Sequence, residues 1–256
     1  MTMRLTLIGG PTVLIELAGL RIVTDPTFDA PRSYEGGVVL TKHTGPAMEA
    51  SKVLPVDVVL LSHDQHFDNL DHAGRALLPQ AGRVLTTKAG AGRLRETVPK
   101  VEGLAPWQQV KIPLKDKRTL TITATPARHG PRGFEPISGD VVGFLLTLGD
   151  RTIYVSGDTV WYDGVADIAS RYDVDVAILF TGAARPRGAF HVTMDNNDAV
   201  EAAHAFGEAQ IVAVHNEGWG HFSETQGDLA QLFEVLGLKP RLRLVERGVP
   251  LSLELA

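Results

Sequence analysis

The stretch LLSHDQHFDNLDH, Leu60 to His72, places three His and three Asp within thirteen residues, at the end of an aliphatic run that begins at Val56. Imidazole nitrogens mixed with carboxylate oxygens suit zinc, manganese or iron better than magnesium or calcium. The same arrangement recurs along the chain: a β-type run ends, and His or Asp follows at once. His129 follows TITATPA, Asp158 follows TIYV, His191 lies beyond ILF, and His215 follows IVAV. Each segment also has an ordinary reading. Asp68 or Asn69 suits the cap of a helix starting at Asp71, and Asp158 suits an Asx turn in SGDT. It is the repetition that points to a metal site, because strand ends at one edge of a sheet converge on a rigid scaffold.

The elements that must position these residues can be read from the pattern. RLTLIGG and TVLIELAGLRIVTDP form an opening set of strands with a hairpin turn at Gly19, and Gly36 to Met48 reads as an irregular loop. VDVVLLS is a short continuous aliphatic run, as expected of a strand buried on both faces. Helices are expected over Asp71–Leu78, Ala91–Val98, Val165–Arg171, Asp195–Phe206 and Asp228–Leu236. Strands are expected at RVLTT, QQVKIPL, RTLTITATPA, VVGFLLTL, RTIYVSGD, VDVAILF, QIVAVHN, LRLVERG and VPLSLEL. Two β-rich halves, each with helices and with no Gly/Pro/Ser linker between them, fit one α/β unit of four layers.

Composition narrows the function class. The 256 residues are 44% hydrophobic and 21% charged, an ordinary globular balance. The formal net charge of −5 gives no basic excess, so no nucleic-acid partner is expected. There is no cysteine, which excludes disulfides and thiolate metal sites. No run approaches the roughly 18 apolar residues of a membrane span, and no signal segment is evident, so a cytoplasmic protein is expected.

At these motifs the chain resembles the metallo-β-lactamase fold superfamily, in particular the branch of ascorbate-6-phosphate lactonases and N-acyl phosphatidylethanolamine phospholipase D-like hydrolases. LIGGPTVLIELAGLRIVTDPTF resembles that branch's opening hairpin, and TPARHG, YVSGDT, HVTMDNNDAV and AVHNEG resemble its later site segments, all in order. The resemblance implies one αβ/βα sandwich domain over residues 1–256. It implies a metal-dependent hydrolase that uses a metal-activated water on a small ester, lactone or phosphodiester. One or two divalent ions are implied, zinc first, with manganese or iron as alternatives. One ion would be held by His66, His129 and either Asp64 or His63, the second by Asp68 and His215, with Asp158 bridging. Asp64 or Asp68 would orient the water or accept a proton, and His191 would meet the developing oxyanion or the leaving group.

The chain also departs from the family's His-x-His-x-Asp-His hallmark. Aligning HFDNLD keeps Asp68 but puts Asp64 at the first His position and Asn69 at the last. Asn69 is a poor ligand for a transition metal, which implies a weakened second site, a single ion, or another donor such as His221 or His72. A degenerate member that binds metal or ligand without turnover is the alternative reading.

Overall fold

The computed structural model describes residues 1–255 and divides into two units. The first comprises Met1–Ala105, Gly218–His221 and Val245–Glu254; the second comprises Pro106–Glu217 and Phe222–Leu244, with Leu255.

In the first unit β1 (Thr2–Gly9), β2 (Thr12–Leu17) and β3 (Leu20–Thr24) are followed by β4 (Arg32–Tyr34), β5 (Leu40–Lys42) and α1 (Ala50–Val53). Then come β6 (Val58–Leu60), α2 (His72–Leu77), β7 (Val84–Thr87), α3 (Lys88–Leu94) and β8 (Val101–Leu104). The second unit holds β9 (Gln109–Pro113), β10 (Thr119–Pro126), α4 (Glu135–Ser138), β11 (Val142–Leu148), β12 (Arg151–Val155), α5 (Asp163–Arg171) and β13 (Val176–Phe180). It continues with α6 (Asn196–Ala205), β14 (Gln210–Val214), α7 (Gln226–Val235) and β15 (Leu242–Arg243), after which β16 (Pro250–Glu254) returns to the first unit.

Each unit is built on one seven-stranded sheet, in the orders β16-β1-β2-β3-β6-β7-β8 and β15-β14-β13-β12-β11-β10-β9. Both sheets are antiparallel at one end and parallel at the other. Pairing switches to parallel between β3 and β6 in the first and between β12 and β13 in the second. Parallel strands need crossovers, and these supply the helices. The parallel strands β6, β7, β13 and most of β14 are buried along their length, which is why they read as unbroken aliphatic runs. In the second unit Val165 and Ile168 of α5, Ala199, Ala202 and Ala203 of α6, and Leu229 and Phe233 of α7 join one core cluster with Ala177 and Ile211. A capping box between Thr225 and Asp228 starts α7.

Three local expectations are revised. The segment read as an irregular loop contains β5, which pairs with β4, and both Lys42 and Tyr34 are buried. The helix expected at Ala91–Val98 starts earlier, at Lys88, because the Thr87 side chain caps Gly90 N–H. The strand β8 was not expected; its sequence VEGL carries little β signal, and Gly103 is needed because a Cβ there would fall 2.7 Å from Lys88 Cα.

The cap of α2 is Asp71, expected as the first residue of the helix, and not Asp68 or Asn69; its carboxylate also does more. It accepts from the backbone N–H groups of Phe28, Asp29 and Gly74 and from the Lys42 ammonium, at 2.9, 2.7, 2.8 and 2.9 Å. The helix sits so close to the opening loop that a Cβ at Gly74 would fall onto the Pro26 carbonyl oxygen. Lys42 and Asp71 are both buried, so deleting the carboxylate strands a buried cation and three backbone donors. Asp71→Ala is expected to cost about 3–5 kcal/mol in urea unfolding, and more than Lys42→Met, which leaves Asp71 its three backbone partners. Equal, small losses for the two variants would contradict this.

Candidate metal centre

The candidate residues sit where the sheets deliver them, just beyond the carboxyl ends of β6, β10, β12 and β14. That edge is where open α/β sheets carry ligands.

In the first unit, the loop after β6 sorts its own His and Asp residues. Ser62 Oγ and His63 Nδ1 are 2.9 Å apart, and His63 Nε2 and His66 Nδ1 are 2.8 Å apart. While that second bond lasts it commits one nitrogen of each ring, so His66 can serve as a metal donor only through Nε2. Burial is the first cause that holds the His66 pKa below the ordinary histidine value, partly offset by Asp68. A low pKa keeps the ring neutral, the form a metal ligand requires. Asp68 is buried, and its Oδ2 lies 2.8 Å from His221 Nε2.

His221 arrives from elsewhere in the chain. The segment Gly218–His221 is stitched onto β5: His43 N–H donates to the Gly218 carbonyl at 2.8 Å, and Gly220 N–H donates to Thr41 at 2.9 Å. Trp219 stacks on Tyr34, and Tyr34 on Phe67, with ring centroids 5.6 and 4.6 Å apart. His72, the other substitute donor considered, is exposed and lies against Tyr34 and Phe67.

Asp64 and Asn69 are turned to other partners. The buried Asp64 carboxylate takes a forked contact from Arg93 of α3, at 3.0 and 3.2 Å to Nε and 2.5 Å to Nη2. A carboxylate so clamped is not brought together with His63 and His66 as a donor. Asn69 is fully buried and its side chain hydrogen-bonds Asp25, which also accepts from Ser62 N–H at 2.6 Å. Burial pushes the Asp25 carboxyl well above the usual carboxylate range, against those hydrogen bonds. Asn69 therefore serves the opening Thr-Asp-Pro turn.

In the second unit, three buried residues converge. Asp158 Oδ2 lies 3.6 Å from His129 Nε2, and Asp158 Oδ1 lies 3.4 Å from His215 Nε2. His129 Nδ1 is 2.7 Å from the Val192 carbonyl oxygen. A carbonyl only accepts, so Nδ1 carries the proton. The other ring nitrogen, Nε2, is the one that faces the Asp158 carboxylate. His215 holds φ at +55°, a strained conformation for a residue other than glycine, directly after β14. Such strain collects at functional sites.

His191 stands apart from that trio. Its Nε2 is 3.3 Å from Asp198 and its Nδ1 is 3.7 Å from Asp195, and these three half-buried residues are also close enough to hold an ion. Both carboxylates have local duties: Asp195 caps α6 through Asp198 N–H, and Asp198 accepts from Trp161 N–H at 3.0 Å. His204 lies exposed on α6, and His43 is exposed beside β5.

The comparisons with known proteins give the family and the fold. A family model described as beta-lactamase superfamily domain matches residues 20–216. A metal-dependent hydrolase of Caldivirga maquilingensis is 24% identical over 241 residues, covering 93% of each chain. An N-acyl-phosphatidylethanolamine-hydrolyzing phospholipase D of Caenorhabditis elegans is 25% identical over 240 residues, covering 85% of this chain and 64% of that one. Among solved structures, the isothiocyanate hydrolase from Delia radicum gut bacteria superposes with a TM-score of 0.85 at 24% identity, covering 97% of this chain and 98% of that one. Among the described residues no helix is long and apolar enough to cross a membrane.

The hydrogen bond to Asp198 is the first cause that raises the His191 pKa, against burial. The ring therefore stays protonated to higher pH than an ordinary histidine. Its share of stability is present at low pH and is lost as pH rises through the raised value. Asp198→Asn should bring the His191 titration, followed by NMR of the ring protons, down toward the ordinary histidine value. An unchanged midpoint would show that Asp198 is not the cause.

Proposed function

The chain belongs to the beta-lactamase superfamily and is a metal-dependent hydrolase, and we propose that residues 1–256 act as one hydrolase domain whose metal ligands come from the segments that follow β6, β10, β12 and β14. In this reading His66 and His129 hold one ion, with His63 behind His66 or beside it. Asp68 and His215 would hold a second, His221 would stand in for the imidazole that Asn69 does not supply, and Asp158 would be shared between the two. Zinc is the preferred ion, with manganese or iron as alternatives, because the donors are imidazoles and carboxylates and the chain has no cysteine.

The observation that carries the proposal is the buried Asp158 carboxylate with a histidine nitrogen on either side, His129 at 3.6 Å and His215 at 3.4 Å. Imidazole nitrogens on either side of a buried carboxylate are a donor set that suits a divalent cation. A bound divalent ion activates water and polarises a scissile carbonyl or phosphoryl oxygen. The chain's own residues do the rest. The Val192 carbonyl fixes the His129 tautomer, so that Nε2 is the donor. His221 and Asp68 orient each other at 2.8 Å. His191, whose hydrogen bond to Asp198 raises its pKa, would serve as a proton donor for a leaving group in a small ester, lactone or phosphodiester.

His129→Ala and Asp158→Ala should each lower metal content, measured by plasma mass spectrometry on folded protein, by at least one ion per chain. Both should also lose turnover on whichever of a lactone, phosphodiester and thioester panel the parent enzyme hydrolyses. Unchanged metal content in both variants would refute the ligand assignment. Metal retained by the parent without turnover on any panel member would favour a binding protein of the same fold.

A further inference from the structure

The second unit contains a small cavity of about 230 Å³ whose walls include Arg128, Val160, Trp161, Phe190, His191 and Asp198. Its walls are chain neighbours of the proposed ligands. Arg128 precedes His129, Val160 and Trp161 follow Asp158 closely, and His191 precedes the Val192 whose carbonyl holds the His129 ring.

Arg128 is the unusual member. Its backbone is clamped on both sides: its N–H donates to Thr159 Oγ1 at 3.0 Å, and its carbonyl accepts from Val160 N–H at 2.9 Å. The guanidinium lies over the Tyr162 ring, 4.4 Å from the centroid, which fixes its plane. Its Nε is buried with no hydrogen-bond partner, and no carboxylate pairs with the group among the described residues. The nearby carboxylates are committed elsewhere, Asp198 to Trp161 N–H and His191, and Asp195 to the α6 cap. Arg185 adds further positive charge near His191. A half-buried guanidinium with its plane fixed, its Nε buried and no carboxylate paired to it matches a planar or tetrahedral oxyanion. The apolar walls of Val160, Trp161 and Phe190 match a short hydrocarbon or ring beside it. The volume falls below the roughly 300–1,000 Å³ of sites that enclose drug-sized ligands.

We infer that this cavity is the specificity subsite of the proposed hydrolase and that Arg128 binds an anionic group, carboxylate or phosphate, carried by a small substrate. The inference rests on the proposed hydrolase reading for its meaning, but it is tested by binding alone. Isothermal titration of the metal-loaded protein with benzoate, phenyl phosphate and neutral benzamide reads the subsite without turnover. The parent should bind at least one anion, and the better of the two identifies the group. Arg128→Gln should weaken that anion by about 10- to 100-fold, the size of one to two charge-assisted hydrogen bonds. Arg128→Lys should recover part of the loss, metal content should be unchanged in both, and benzamide should bind the parent and Arg128→Gln alike. Equal anion affinity in parent and Arg128→Gln, or no anion binding to the parent, would overturn the inference whether or not the enzyme turns over. Loss of metal in Arg128→Gln would overturn it too, since Arg128 would then act through His129.

Discussion

A carboxylate buried between two imidazoles is the constraint around which the second unit is arranged. Asp158 has its oxygens 3.6 and 3.4 Å from nitrogens of His129 and His215, with nearly no solvent to screen them. Holding such groups out of water is costly unless something compensates, and the fold spends considerable order on them. β10, β12 and β14 end at the same edge, the Val192 carbonyl fixes one ring, and His215 accepts a strained backbone at φ +55°.

The first unit follows a different logic. Its loop is crowded with titratable side chains, and the surrounding structure disposes of most of them. Asp71 anchors Lys42 and the opening loop, Asp64 goes to Arg93, and Asn69 goes to Asp25. What remains is the His63–His66 pair and the Asp68–His221 pair. The loss of an imidazole at Asn69 is thus accompanied by a histidine from a distant segment placed against Asp68. In the proposed reading, that would make the departure from the motif a rearrangement of donors.

Much of this was legible in the sequence. The strand ends were visible because buried parallel strands are unbroken aliphatic runs, so a His or Asp at their carboxyl end stands out. His215 could be picked out for that reason, and Asp158 after the buried run of β12, whereas His129 follows β10, an antiparallel strand of alternating Thr and aliphatic residues. The place of His221 was not legible, because it depends on Gly218–His221 pairing with β5, inside a stretch that read as an irregular loop. The fate of Asp64 was hidden for a similar reason. Its partner Arg93 lies 29 residues away, on a helix whose start is set by the Thr87 cap and was misplaced by periodicity alone. Local pattern identifies candidate donors, but the competing partners of each donor are non-local.

The central claim is that Asp158 bridges ions held by histidines on either side of it. The most direct test is a crystal structure of metal-loaded protein with anomalous scattering collected at the zinc, manganese and iron edges. The account predicts a peak in contact with both Asp158 and His129 Nε2, at about 2.0–2.2 Å from each, with a second peak near His215 if both ions are held. A peak confined to His191, Asp195 and Asp198, or no peak touching Asp158, would contradict it.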